Sequence, residues 1–245
     1  MHNLINSIFK EAEFDNNERI NFKGDFSANF SFFTRTHNNK FDFYLVANFK
    51  EGEIKLDSLK KQLDQCFESI LEEMNETGID KNLSFLLLLE TESIDNSIER
   101  IRYIYNLEED PYDFKKYVLT YTKSQVDALK TYIEENAQLP LITTLNNLLQ
   151  EKTLFASFKK KEEDRSTTEK QEVLLYDLIS KLFIKIPFLS VIIKQECLDS
   201  LKQEIDESLN QTQAEIVNLI LEQHSNDPEL HIDGILNKMG VEYNE

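Results

Sequence analysis

The chain has 245 residues, a formal net charge of −18 and 40% hydrophobic residues, including 17 Phe and 9 Tyr but no Trp. That is enough apolar material for one large domain or two modest ones, and the excess of acids excludes strong direct binding to nucleic acid, which needs Lys and Arg to displace counterions. Five Gly and four Pro are too few for an all-β fold rich in tight turns, and the absence of GxxxxGK[ST] and GxGxxG removes a phosphate-cradling loop.

The first residues, MHNLIN, lack a basic region followed by an apolar stretch, so no secretion signal is expected. The apolar runs Phe85 to Leu89 and Leu182 to Ile193, the second broken by Lys185 and Pro187, fall short of the roughly 20 residues that span a bilayer. Cys66 and Cys197 read as small buried hydrophobes in a reducing compartment. A cytoplasmic protein with no membrane segment is the expectation.

In chain order, the aromatics of Ile20 to Thr36 alternate as in a strand, and Phe41 to Phe49 (FDFYLVANF) reads as a second, with a hairpin loop at 36–40. Asp57 or Ser58 can cap a helix to about Met74, with Leu59, Leu63, Cys66, Phe67, Ile70 and Leu71 at the helical period. The run SFLLLLE from Ser84 to Glu90 reads as a central strand buried on both faces. A short helix over Ser93 to Tyr105 places Ile94, Ile98, Ile101 and Tyr105 on one side. Phe114 to Tyr121 reads as a further strand, and Thr122 with Gln125 as the capping box of a helix ending near Glu135.

Beyond Asn136 only helices are expected. Pro140 opens one carrying Leu141, Ile142, Leu145, Leu148 and Leu149. The charge-dense stretch 158–168 is a candidate exposed linker. Thr168 with Gln171 caps a helix reaching Phe183, and further amphipathic stretches include one opened by a Thr212–Glu215 box. The expectation is α+β: a mixed β-sheet domain with flanking helices over 1–136, then an all-α domain or extension over 137–245.

Few residues carry chemistry. His224 and His231 lie seven apart near several acids, but a structural metal site needs tight ligand pairs, so they read as exposed polar residues and no metal or cofactor is expected. Carboxylate–x–Lys triplets of the kind that hold a divalent ion in nucleases occur as Glu53-Ile54-Lys55 after Asp42, and as Asp113-Phe114-Lys115 after Asp95. In a chain this rich in acids and lysines such triplets arise by chance. Two segments carry two readings each. The acidic turn with Glu108, Glu109, Asp110, Tyr112, Lys115 and Lys116 is a solvated turn anchoring a strand and, compatibly, a docking edge. The apolar run around Pro187 with Ile186, Phe188 and Leu189 reads first as core of the helical part and otherwise as a partner-binding patch.

The strand FDFYLVANF, the apolar strand Phe85 to Leu89 and the motif Glu109-Asp110-Pro111-Tyr112-x-Phe114-Lys115-Lys116-Tyr117-Val118 with Tyr121 together resemble the middle component of bacterial ABC-three-component systems of the Lamassu antiphage type. The resemblance covers Phe26 to Glu135. It implies a non-catalytic accessory subunit, with no catalytic residues to carry over, that joins an SMC-like ABC ATPase to an effector subunit, often a nuclease. By this analogy the helical half contacts the ATPase head or neck as a kleisin does, and the α/β half holds the effector. Two rival expectations are a metal-dependent nuclease using Asp42, Glu53 and Lys55, and a scaffold that self-associates through its C-terminal helices.

Overall fold

A computed structural model describes residues 1–17, 20, 22, 26–37, 40–74, 78–95, 97–111, 114–163 and 170–192, with residues 203, 207–211, 213 and 217 beyond them. The elements run α1 (His2–Glu11), β1 (Asp15–Asn16), a 3-10 turn (Ser27–Asn29), β2 (Phe30–His37), β3 (Lys40–Lys50), α2 (Leu56–Glu73), α3 (Ile79–Asn82), β4 (Leu83–Glu90), α4 (Ile98–Glu108), β5 (Lys115–Tyr121), α5 (Lys123–Glu135), α6 (Leu141–Leu149), α7 (Lys152–Glu163) and α8 (Gln171–Lys185). The fold is α+β with a mixed sheet, as the pattern of elements implies.

The five strands lie in the order β1-β2-β3-β4-β5. The first two pairings are antiparallel, and β3–β4 and β4–β5 are parallel. Parallel neighbours require crossovers, which α2 with α3 and then α4 supply. Side-chain alternation divides the core in two. Phe43, Leu45, Ala47 and Phe49 of β3, with Phe85, Leu87 and Leu89 of β4, pack with Leu59, Leu63, Cys66 and Ile70 of α2 and Leu107 of α4. Tyr44 and Val46, with Leu86 and Leu88, face Ile5, Ile8 and Phe9 of α1, Leu129 of α5, Leu145 of α6 and Leu178 of α8. The unbroken apolar run of β4 thus follows from helices on both faces.

Several expectations change. The strand expected from Ile20 begins at Phe30, as β2; Phe22 and Phe26 instead pack against the α2-side core. His37 pairs with Lys40, so residues 38–39 connect the hairpin, and they lie outside the described residues. The α2 N-cap is Lys55, which makes no side-chain cap bond, rather than Asp57 or Ser58. Thr122 and Gln125 do form a capping box, with both reciprocal bonds present. Helix α1 went unpredicted, although Leu4, Ile5, Ile8 and Phe9 line one face of it. Its Glu11 carboxylate accepts from the Leu141 and Ile142 amides at 2.7 and 2.8 Å, capping α6 from 130 residues away in sequence.

The stretch proposed as a linker is helical through Glu163, and its remaining residues lie outside the described set. The N-cap of α8 is Lys170, and Thr168 is outside that set. No break falls at 136: the core on the α1 side runs through α5, α6 and α8, and Met1–Val191 forms one compact unit, with Ile192–Glu245 a second. In the second unit Asn210 and Gln213 cap each other reciprocally at 3.0 and 2.9 Å, two residues before the expected Thr212–Glu215 box, whose members lie outside the described residues. No described helix is long and apolar enough to cross a membrane.

Candidate interaction surface

The acidic turn caps one amide on the edge strand of the sheet. β5 is an edge strand, whose outward amides invite pairing with another chain. The Glu108 carboxylate, at the C-terminal end of α4, accepts from the Val118 amide at 2.7 Å and from Lys185 Nζ of α8 at 2.6 and 2.8 Å. Asp110, nearly buried, pairs with Lys60 of α2. Lys116 is buried, with Nζ donating to the Phe114 carbonyl at 3.2 Å and lying 5.0 Å from the centre of the Phe114 ring. Of the residues expected to dock a partner in this segment, Glu109 and Lys115 are exposed, and Tyr112 lies outside the described residues.

The apolar run around Pro187 is likewise taken up by the fold. Ile186 and Leu189 are buried, and Phe188 packs edge-on against Phe9 and Tyr44 at 4.9 and 5.5 Å between ring centroids. Arg35 lies 4.3 Å over Phe14 and 5.8 Å from Phe188, and donates to Asp42 at 2.6 Å and to the Ala12 carbonyl at 3.2 Å. This cluster fastens α1 and the segment after α8 to one face of the sheet. Of the two readings of this run, Ile186, Phe188 and Leu189 follow the core one; apolar exposure nearby falls on Ile184, Val191 and Ile192.

The carboxylates considered for a nuclease are held apart. Asp42 sits near the start of β3 and is committed to Arg35, whereas Glu53 follows the strand's end and accepts from the Lys50 amide at 2.7 Å. Eight residues of strand from 42 to 50, at ~3.3 Å each, separate the two by roughly 26 Å. Lys55 holds the N-cap position of α2 without a side-chain cap bond and lies beyond the end of β3 with Glu53, away from Asp42. Asp95 and Lys115 also lie towards opposite ends of the parallel strands, and Asp113 is outside the described residues. Among the described residues no group of three His, Cys, Asp or Glu side chains could hold a metal ion.

The feature that periodicity misplaced is α4. Its inner face carries Arg100, Tyr103, Ile104 and Leu107, and its outer face Ile98, Ile101 and Tyr105, which are 64%, 52% and 63% exposed. At 3.6 residues per turn the two groups point about 140° apart. Arg100 is drawn inward because its guanidinium meets the Glu51 carboxylate at 2.7 and 2.6 Å and the carbonyls of Ser93 and Asp95 at 3.0 and 2.6 Å. This hydrogen bonding, before any Coulombic attraction, lowers the Glu51 pKa below its ordinary value. Ser97 caps the helix by accepting from the Arg100 amide at 3.1 Å, which sets the rotation of the first turn.

Between α2 and α4, at the carboxyl ends of β3 and β4, lies a cavity of about 340 Å³ lined by Ile54, Leu56, Leu89, Arg100 and Tyr103. Its walls are mainly apolar, and its one guanidinium is fully engaged with Glu51 and the loop carbonyls. The Tyr103 hydroxyl is buried without a hydrogen-bond partner, and burial raises its pKa to about 12.

Residues 41–151, from β3 to just past α6, match the model of the family described as ABC-three component (ABC-3C) system Middle Component 1. No curated protein and no solved structure matches the chain.

Proposed function

We propose, from a chain whose residues 41–151 carry the Middle Component 1 pattern of ABC-three-component systems, that the protein is a non-catalytic accessory subunit. In this reading it joins an SMC-like ABC ATPase to an effector nuclease within a cytoplasmic, Lamassu-type antiphage complex. The family match carries the proposal: a middle component is one member of a multi-component system, so its partners are the other members.

Two physical features support it. The net charge of −18 disfavours direct contact with DNA and favours basic protein surfaces. Asp42 pairs with Arg35 near the start of β3 and Glu53 accepts from the Lys50 amide beyond that strand's end, so these two candidates for metal-assisted chemistry are held apart. Co-expression of the tagged protein with the ABC ATPase and the third component of its own system tests the proposal. Recovery of both on the tag is the expected result. Elution of the protein alone at micromolar concentration refutes it, and plasmid cleavage by the protein alone with Mg²⁺ or Mn²⁺ would replace it with an enzymatic reading.

A further inference from the structure

The outer face of α4 is apolar where solvent would ordinarily select charge. Ile98, Ile101 and Tyr105 are each more than half exposed and follow one another at spacings of three and four, a single seam along the helix. They contribute nothing to the cores on either side of the sheet. Isolated surface apolar residues need no explanation, but an aligned row of three on one helix does.

The spacing indicates the shape of what covers the row. Side chains at i, i+3 and i+7 are the a/d pattern by which one helix receives another. With 11 residues at 1.5 Å each, α4 is about 16 Å long, room for three turns of a partner helix. Exposed Arg102 and Glu109 flank the row, and Glu108 on its other side is already held by Lys185 and the Val118 amide. The free charges therefore ask for an acid opposite Arg102 and a base opposite Glu109, at the end of α4 where the helix dipole also favours a cation. A second copy of this chain fits poorly. Each copy brings a charge of −18, and a row of three side chains falls well short of the roughly 800 Å² per partner of a stable dimer.

We propose that the α4 row seats an amphipathic helix of a partner subunit, one whose apolar stripe repeats every three to four residues and carries, along one flank, an Asp or Glu facing Arg102 and a Lys or Arg facing Glu109. The inference rests on the accessory-subunit reading and specifies where that subunit is gripped.

The test measures affinity of the full-length protein for the separately purified ABC ATPase and third component. The wild type is compared with the double variant Ile101→Ser/Tyr105→Ser, the double charge reversal Arg102→Glu/Glu109→Lys, and the control Leu71→Ser at an exposed position on α2. A photo-crosslinker at position 101 identifies the partner segment. The expected result is at least tenfold weaker binding of one component by both double variants, no change for the control, unchanged melting of all variants, and a crosslink to a helical segment. Wild-type binding to which both double variants are indifferent overturns this inference alone. A crosslink to a second copy of the chain, with light scattering showing a dimer that the Ser variant breaks, overturns it in favour of self-association. Failure of the wild type to bind either component overturns the accessory-subunit reading and this inference together.

Discussion

The two faces of α4 invert the usual order of a surface helix. The inner face buries an arginine and the outer face exposes two isoleucines and a tyrosine. The inversion is stable because Arg100 has four hydrogen bonds waiting for it, two from Glu51 and two from loop carbonyls, so its charge is matched where it is buried. Among the described residues the outer row has no such account. A local pattern thus fixes where a helix lies, while distant partners decide which face turns inward.

Substitutions along the helix sharpen this contrast. Leu107, fully buried on the inner face, should cost the most: Leu107→Ala is expected to lower unfolding free energy by about 3 kcal/mol, measured by urea denaturation. Arg100→Ala should follow at about 2–3 kcal/mol, since it strands two carbonyls and a carboxylate. An unchanged midpoint for that variant would show that the inner face does not depend on the ion pair.

Glu108→Ala removes the cap on the Val118 amide and the tie to Lys185, and about 1–2 kcal/mol is expected. It should also raise the tendency to associate through the β5 edge, read by light scattering. At the other extreme, Tyr105→Ser on the outer face should change stability by less than about 0.5 kcal/mol. A large loss there would mean the row is part of the fold and not a free surface.

Acid separates the faces in another way. The Glu51 pKa is lowered in the folded state, first by its hydrogen bond with Arg100. Its contribution is therefore complete above the unfolded-state value of 4.5 and disappears as pH falls through the lower folded value. Glu51→Gln should flatten the fall in wild-type stability on acidification below that value, whereas Tyr105→Ser should leave its slope unchanged.

Much of the fold was legible in the residues. The strand at Phe41 to Phe49, the doubly buried β4, the α2 period and the Thr122–Gln125 box all carry signals set by neighbours a few positions away. Helix α1 carried the same kind of signal in Leu4, Ile5, Ile8 and Phe9, and Glu11 works at its end as a cap for a distant helix. The start of β2 was misjudged because aromatic alternation marks burial, and Phe22 and Phe26 achieve burial without pairing in the sheet. The interaction surface was harder to read. Acidity near a turn left docking and structural readings open at Glu108 to Lys116, and apolarity near a proline favoured core packing over a partner patch at Ile186 to Leu189. The chain spends Glu108 on the Val118 amide of its edge strand, Asp110 on Lys60 of α2 and Lys116 on the Phe114 carbonyl, and Ile186 and Leu189 on its own core. The exposed row was hidden because a helix period reports that Ile98, Ile101 and Tyr105 share a side, not which side. The deciding contact, Arg100 with Glu51, spans 49 positions.

Sedimentation velocity of the protein mixed with the ABC ATPase of its own system, at micromolar concentration of each, tests the accessory-subunit account most directly. A single faster boundary containing both chains is the predicted result, and two boundaries at the positions of the isolated proteins would contradict it.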